Sequence, residues 1–596
     1  MHPHKETDMN GGQRNDGKMR MEWWGVVVLG LVSLVLGTVG FMRGVDEHGR
    51  PWGFWDALYD SMRLFHMHFD HVPRELPWEL QIARFLAPMV VVVTLVKGFL
   101  FAARSRRHAL FHRYQKGHVV ICGLGRKGLE LARQFRKRRR WVVVIEKNPG
   151  NPLLAACDAE GIFYWISDAA DPAVLERARV VHAREVIVIT PEDETNLRIA
   201  MQVRDTTAAD SMSPVQCFVQ LENIDLRERL QRSFGAWPAG GSGGCTLRFF
   251  DAFDAEARRV LLDLPLDGAG ILADSPSRVH VVIIGFGRMG RSLALRAAKL
   301  GHFANGQKLR ISVIDRHPDP QREHFLFHYP VMERETICKM QFHHAEAESL
   351  KTRKLVESWA AEPATLLHLF VCLDDNTSAV EVALRMQEML ADRPDCNLCV
   401  RIKARAALAR LLEGSPFGGP PVRAFGMAEE SSSGVAFVPD ASELMARQAH
   451  DAFVEKRLAD SSRTPENDPA LKRWDELTED LRESNRAQTD HMAIKMRAIG
   501  CEIVPVTDPR PPITEFSPAD LELLAPLEHR RWNAERLLAS WQLGAQDDKP
   551  RRISASLTEW DRLPAQIKKY DFEAVEDIPD RLAVAIPAMK VVRGNT

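Results

Sequence analysis

Apolar and polar positions along the chain change rhythm twice. Residues 23–42 form an uncharged apolar run opened by Trp23 and Trp24, and a second run covers 85–103, interrupted by Lys97 near its end. Helical residues rise about 1.5 Å each and a bilayer core is about 30 Å thick, so each run predicts a transmembrane helix. Lys97 lies where a lysine can snorkel to the surface. The first run is longer than a signal-peptide core and no small-residue cleavage site follows it. Between 97 and 116 there are six basic residues (97, 104, 106, 107, 113, 116) and no acid, whereas 43–84 is more acidic than basic. The positive-inside rule then places both termini in the cytoplasm. Polar residues 1–22 are expected to be disordered, and 104–117 to form a basic linker.

From 118 onward, short apolar runs alternate with helical patterns. GHVVICGLGRKG (117–128) is followed by a helical stretch and WVVVIEKNP (141–149); VHVVIIGFGRMG (279–290) is followed by LRISVID (309–315). Downstream, 186–205 aligns with 369–389, each a strand, an acidic turn with Asn and a helix, and strands at 215–223 and 396–404 close the units. Alternating strand and helix predicts two doubly wound α/β domains, over 118–265 and 276–456. In each glycine turn the first glycine (Gly123, Gly285) permits the tight bend and the second (Gly125, Gly287) lets backbone approach a pyrophosphate. The third (Gly128, Gly290) lets helix pack on strand. Glu146 and Asp315 end the next strands, where a carboxylate accepts from ribose hydroxyls. Glu146 makes a 2′-phosphate unwelcome, so the expected ligand is NAD or an adenine nucleotide rather than NADP.

The Gly-rich stretch 231–245 reads as a loop and 457–473 as a linker. Beyond it, Leu477, Leu481, Met492 and Met496 recur at helical spacing. LAPLEHRRWNAERLLASWQLG (524–544) puts His529, Arg531 and Trp532 on one helical turn, with Trp541 at the helix end and Arg551 and Arg552 beyond it. Aromatic faces beside guanidinium groups suit stacking on a base and pairing with phosphate. Equally, the tryptophans can be core and the arginines can pair with Glu528 and Glu535.

Charge is balanced, 79 Lys+Arg against 80 Asp+Glu, which removes any global argument for nucleic-acid binding. Nine cysteines show no disulfide framework. Cys396 and Cys399 form a lone CxxC, where a zinc site needs a second pair. No nucleophile stands with a base, so no catalytic residues are predicted.

These motifs carry three resemblances. The loop WDALYDSMRLFHMHFD (55–70) resembles a potassium-channel pore helix around Ala57-Leu58-Tyr59, with Phe65-His66-Met67-His68 in place of the carbonyl filter. Both α/β units resemble the regulator-of-potassium-conductance (RCK, TrkA-N type) domain; in the first, ISDAADPAVLERA (166–178) supplies Asp168, with Ser167 where the family usually has Gly. The region 474–590 resembles the ryanodine-receptor repeat (RyR domain), through EHRRW, the second Trp and the TEW-x-x-LP helix start. The resemblances imply nucleotide sites lined by Gly123, Gly125, Gly128, Glu146 and Asp168, and by Gly285, Gly287, Gly290 and Asp315. They imply a small nucleotide-like ligand on the RyR domain and a homo-oligomer, tetrameric if a channel. The setting they imply is the lipid bilayer of a bacterial inner membrane. The leading expectation is a nucleotide-gated, channel-like membrane protein. The alternatives are a non-conducting tethered sensor or stress effector, and a membrane-anchored NAD-dependent oxidoreductase.

Overall fold

The computed structural model describes residues 16–45, 50–67, 76–114, 116–207, 215–223, 226–227, 229–230, 244–402, 419–426, 441–458, 464–465, 468–584 and 588–594. The first fifteen residues, His68, most of the 231–245 loop and part of the 457–473 linker lie outside the described residues. The chain forms two compact units, Met1–Lys116 and Gly117–Thr596.

In the first unit, helix α1 (Asp16–Arg43) and helix α3 (Trp78–Tyr114) enclose a shorter α2 (Phe54–Leu64). Two windows, Val26–Arg43 and Trp78–Gly98, are long and apolar enough to cross a membrane, with mean hydropathy 2.1 and 1.7. Their large apolar side chains face outward, Val35 and Phe85 being 60% and 70% exposed, while Ser33, Thr38, Asp60, Ser61 and Glu79 are buried. Glycine sets the spacing: a Cβ on Gly40 would lie 2.8 Å from the Leu80 amide nitrogen. Arg43 pairs with Glu79, joining the end of α1 to the start of α3.

Two boundaries differ from expectation. The first helix begins at Asp16, inside the segment expected to be disordered, and the supposed linker is helical to Tyr114. The basic stretch 99–114 has no Pro and no Gly, and Ala, Arg, Leu and Phe continue a helix already nucleated by the span.

The second unit holds two six-stranded parallel sheets. The first comprises β1 (His118–Cys122), β2 (Val142–Glu146), β3 (Phe163–Ile166), β4 (Ala183–Val188), β5 (Val215–Gln220) and β6 (Cys245–Phe250), in the order β3-β2-β1-β4-β5-β6. The second comprises β7 (Arg278–Ile284), β8 (Arg310–Asp315), β9 (Lys339–His344), β10 (Thr365–Val371), β11 (Asn397–Arg401) and β12 (Val422–Phe425). Its order, β12-β11-β10-β7-β8-β9, repeats the topology of the first. All five residues of β1 and six of seven in β7 are buried, as strands covered on both faces require. The sequence did not show β6 in the first sheet, nor β9 and β12 in the second. β6 and β12 are edge strands behind long connections, and their partial exposure, like that of β9, weakens any apolar signal.

Packing redistributes two helices. Helix Ala252–Asp263 falls inside the sequence boundary of the first α/β domain, yet Ala257, Val260 and Leu261 sit in the core of the second. Helix Ala441–Leu458 falls, up to 456, inside the sequence boundary of the second domain, yet Ala446 packs with Trp474 and Leu477, and Arg457 pairs with Glu573 at 2.6 Å.

The C-terminal module is mainly helical: Glu479–Asp490, Met492–Ala498, Pro518–Leu538, Ala565–Glu576 and Ile578–Ala583. A two-stranded antiparallel pair, Cys501–Pro505 with Met589–Arg593, closes it. It docks on the second α/β domain through bidentate charge pairs. Arg258 reaches Asp490 at 2.6 and 2.7 Å, and Arg497 reaches Asp267 at 2.7 and 2.8 Å. Arg296, on helix Arg288–Leu300, bridges Asp254 and Glu483.

Candidate ligand sites

Both sheets reverse strand order beside their first strand, and each glycine turn opens at that crevice, where open α/β sheets bind ligands. Gly123 and Gly285 adopt φ of 110° and 96°, a region that strongly favours glycine. A Cβ on Gly128 or Gly290 would lie 2.3 Å from the preceding turn's carbonyl oxygen, so these two are demanded by helix-on-strand packing. Gly125 and Gly287 differ: both are exposed, at φ −83° and −68°, and a Cβ there meets no heavy atom within 4 Å. Both are helix N-caps without a side-chain hydrogen bond, so the first-turn amides face outward for an anion.

The acids clamp these turns. The Leu124 amide donates to Glu146 Oε2 at 2.8 Å and the Asn148 amide to Oε1 at 2.7 Å. Phe286 and His317 amides donate to Asp315 Oδ2 and Oδ1 at 2.7 and 2.8 Å. Each carboxylate keeps a second lone pair per oxygen, so the structural role leaves acceptor capacity on both. Asp168 receives Lys147 Nζ at 2.8 Å, which holds its carboxyl below the usual range, helped by the Ala170 amide. Asp168 thus sits at the rim of the first crevice with a cation already attached.

Two residues unmarked in sequence join the sites. Arg288, the first residue of the second glycine-turn helix, is ion-paired with Glu222, two residues past β5 of the first domain. Lys127, in the first turn of the first glycine-turn helix, lies 4.7 Å over the Phe253 ring, with Arg401 at 5.2 Å from the same ring. Burial pushes the Lys127 amine down. Only tertiary contact could reveal these pairs, since the partners are far apart in sequence. Cys396 and Cys399 fall in different core clusters, on opposite faces of their sheet, so they cannot share a metal.

The C-terminal module has a cleft of about 380 Å³ between helices Pro518–Leu538 and Ala565–Glu576. It brings together His529, Arg531, Trp532 and Trp541, four of the six residues singled out there. Arg551 is exposed beside Asp548, and Arg552 turns back to the Ala539 carbonyl and Asp480, so neither lines it. Arg531 lines the cleft but is 3% exposed, with its guanidinium on Glu528 at 2.8 Å and Glu535 at 2.6 Å. Those carboxylates, with Lys495 at 2.5 Å from Glu528, form a closed buried network. Both nitrogens of His529 are engaged, Nδ1 with Asp571 at 3.1 Å and Nε2 with the Thr558 carbonyl at 2.8 Å. Arg536, unnoticed in sequence, lies 5.6 Å over Trp532 and 4.9 Å over Trp541, its position four residues after Trp532 being the one available clue.

Residues 119–234 match the TrkA-N domain. Potassium channel protein 1 of Methanocaldococcus jannaschii is 21% identical over 196 residues, covering 31% of this chain and 59% of the relative. An uncharacterized protein of Methanothermus fervidus is 31% identical over 90 residues, 15% of this chain and 14% of its own. The chain therefore spans less than two thirds of both relatives. Among solved structures, the GsuK channel bound to NAD is 14% identical over 70% of this chain and 83% of that one, with a TM-score of 0.39. GsuK bound to ADP is 16% identical over 71% and 97%, with a TM-score of 0.36.

Proposed function

We propose that the chain is a nucleotide-gated, channel-like membrane protein. NAD or an adenine nucleotide binds the glycine turns of two RCK-like domains, and a C-terminal RyR-type module supplies a second ligand input. The observation that carries this is the repeated clamp: an uncapped helix start behind an open Gly125 or Gly287, beside a carboxylate at Glu146 or Asp315. The TrkA-N match and a potassium-channel relative support the same reading. Two apolar helices anchor the protein in the lipid bilayer, with both termini cytoplasmic. Tandem domains of this type suit a symmetric homotetramer around a pore. A ligand biases the gate by its differential affinity for two packings of the cytoplasmic domains. The protein is proposed to be a regulator rather than an enzyme.

One observation favours a non-conducting sensor: α2 ends in a turn at 65–67, with Met67 at φ 60°, where a carbonyl-lined filter would begin. Potassium flux into liposomes holding the full chain tests both readings, with NAD, ADP and ATP added to the cytoplasmic face. Nucleotide-dependent flux establishes gating. Nucleotide binding without flux, for any monovalent cation, replaces the channel with a tethered sensor.

A further inference from the structure

The C-terminal cleft carries a narrower assignment than a nucleotide-like ligand, and this deepens the reading of that module as a ligand input. Three features of the cleft bear on its occupant.

The first is charge. Glu528, Asp547 and Asp571 face Arg531, Arg536 and Lys549. The cations are not equally available. Arg531 is sequestered by Glu528 and Glu535, and Arg536 is stacked over Trp532 and Trp541 with its Nε buried and unpartnered. Lys549, exposed at the mouth, is the cation among the described lining residues with neither a carboxylate nor a ring against it. The two arginines expected to bind phosphate, Arg551 and Arg552, lie outside. A polyphosphate would therefore meet Lys549 and a guanidinium held against two rings, with Asp547 and Asp571 as the acids outside the Arg531–Glu528–Lys495 network.

The second is surface chemistry. Trp541 and Tyr570 line the cleft with a guanidinium over each ring (Arg536 at 4.9 Å, Arg457 at 5.1 Å) and Trp532 is stacked on His529, so a base would add to an existing aromatic–cation stack. Ser484, Asn485 and Gln488 offer small polar groups able to read a base edge or sugar hydroxyls. Asp547 already accepts from Ser554 at 2.9 Å and from the Ala555 amide at 2.8 Å, so it is fixed in place and keeps lone pairs free. Burial pushes the Asp571 carboxyl up.

The third is size. A volume of about 380 Å³ is at the small end of the range of about 300–1,000 Å³ for small-molecule pockets.

We propose that this cleft binds a nucleoside or a nucleoside monophosphate, its base among the aromatic rings and any single phosphate at Lys549, and that it selects against polyphosphates and dinucleotides. The two ligand inputs of the protein then differ in class: the uncapped helix starts of the glycine turns take diphosphate-bearing nucleotides, and the C-terminal cleft takes their dephosphorylated counterparts.

Equilibrium dialysis of the full chain in detergent tests this with adenosine, AMP, CMP, ATP and NAD. A Glu146→Ala/Asp315→Ala background separates the cleft from the glycine turns. The expected result is retention of AMP or CMP binding in that background, with ATP and NAD at least tenfold weaker. Lys549→Gln, a surface change, should weaken the monophosphate about tenfold and leave adenosine unchanged. Trp541→Ala should weaken both about tenfold, with Trp541→Phe restoring most of the loss. The proposal is overturned if ATP binds this background as tightly as AMP, or if neither monophosphate binds. It is also overturned if AMP binding follows the Glu146/Asp315 pair and ignores Trp541. That last outcome would leave the glycine-turn reading standing, whereas failure of the wild-type chain to bind NAD or ATP, with AMP binding still dependent on Trp541, would remove the glycine-turn reading and leave the cleft.

Discussion

Glu222, just beyond β5 of the first α/β domain, is ion-paired with Arg288, the residue that opens the second domain's glycine-turn helix. A phosphate at the second turn would compete with Glu222 for this guanidinium, and occupancy of that turn would then alter the contact between the two domains. Burial pushes the Glu222 carboxyl up, so its charged form is already costly and the pair is poised for exchange. Glu222→Gln should tighten nucleotide binding at the second turn several-fold, measured in a Glu146→Ala background. Unchanged affinity would mean that Arg288 never reaches the ligand.

Gly125 and Gly128 allow ligand access and packing to be tested separately within one turn. Gly125→Ala meets open space at an ordinary φ, so the protein should fold with an unchanged Tm while a methyl group blocks the pyrophosphate. Nucleotide affinity at the first site should fall at least tenfold, read by calorimetry. Gly128→Ala puts its methyl against the Gly123 carbonyl and should instead cost about 1–3 kcal/mol of stability. Equal thermal losses in both variants would remove the ligand from the explanation.

Glu146→Ala removes the acceptor of two backbone amides as well as the carboxylate proposed to accept from ribose. Weakened binding should therefore arrive with a stability loss of about 2 kcal/mol, on the scale of hydrogen bonds to a charged group. Glu146→Gln keeps one acceptor oxygen and should recover part of that loss in thermal melts.

Arg531 is the structural partner of Glu528 and Glu535 rather than an open ligand contact. Arg531→Ala leaves two carboxylates buried beside Lys495 and should destabilise the C-terminal module by about 3–5 kcal/mol. Limited proteolysis would show it as early cleavage between 479 and 583. A stable variant with a selective binding defect would return Arg531 to the ligand.

Burial lowers His302 to about 3, His280 to about 3 and His368 to about 4, with nearby arginines adding to the first two. Unfolded, each titrates near about 6.5, so below that pH the unfolded chain binds protons the native state refuses. The stability these neutral imidazoles allow is complete above about 6.5 and is lost as pH falls toward the native values, by up to about 1.4 kcal/mol per unit for each histidine. Tm of the full chain in detergent should fall steadily from pH 7 to 5. A flat profile would mean the three sites stay hydrated and protonated in the native state.

The sequence by itself determined what depends on neighbours along the chain. Apolar runs of bilayer length, strand–glycine–helix units and the spacing to Glu146 and Asp315 are local patterns, because a tight turn and a 3.6-residue helix are built from consecutive residues. The parallel sheets followed from alternation alone. Contacts between distant segments were decided only by the tertiary structure. Helix Ala252–Asp263 follows the first domain in sequence but is buried in the second, since apolar faces pack where the topology leaves room, not where a boundary is drawn. Arg531 and Arg551 looked equivalent as basic residues near tryptophans. Folding buried one on two carboxylates and left the other in solvent. Glu222 and Arg288 carried no motif at all, because an ion pair between domains has no sequence period. Charge and residue type fix what a side chain can do, and packing alone chooses the partner with which it does it.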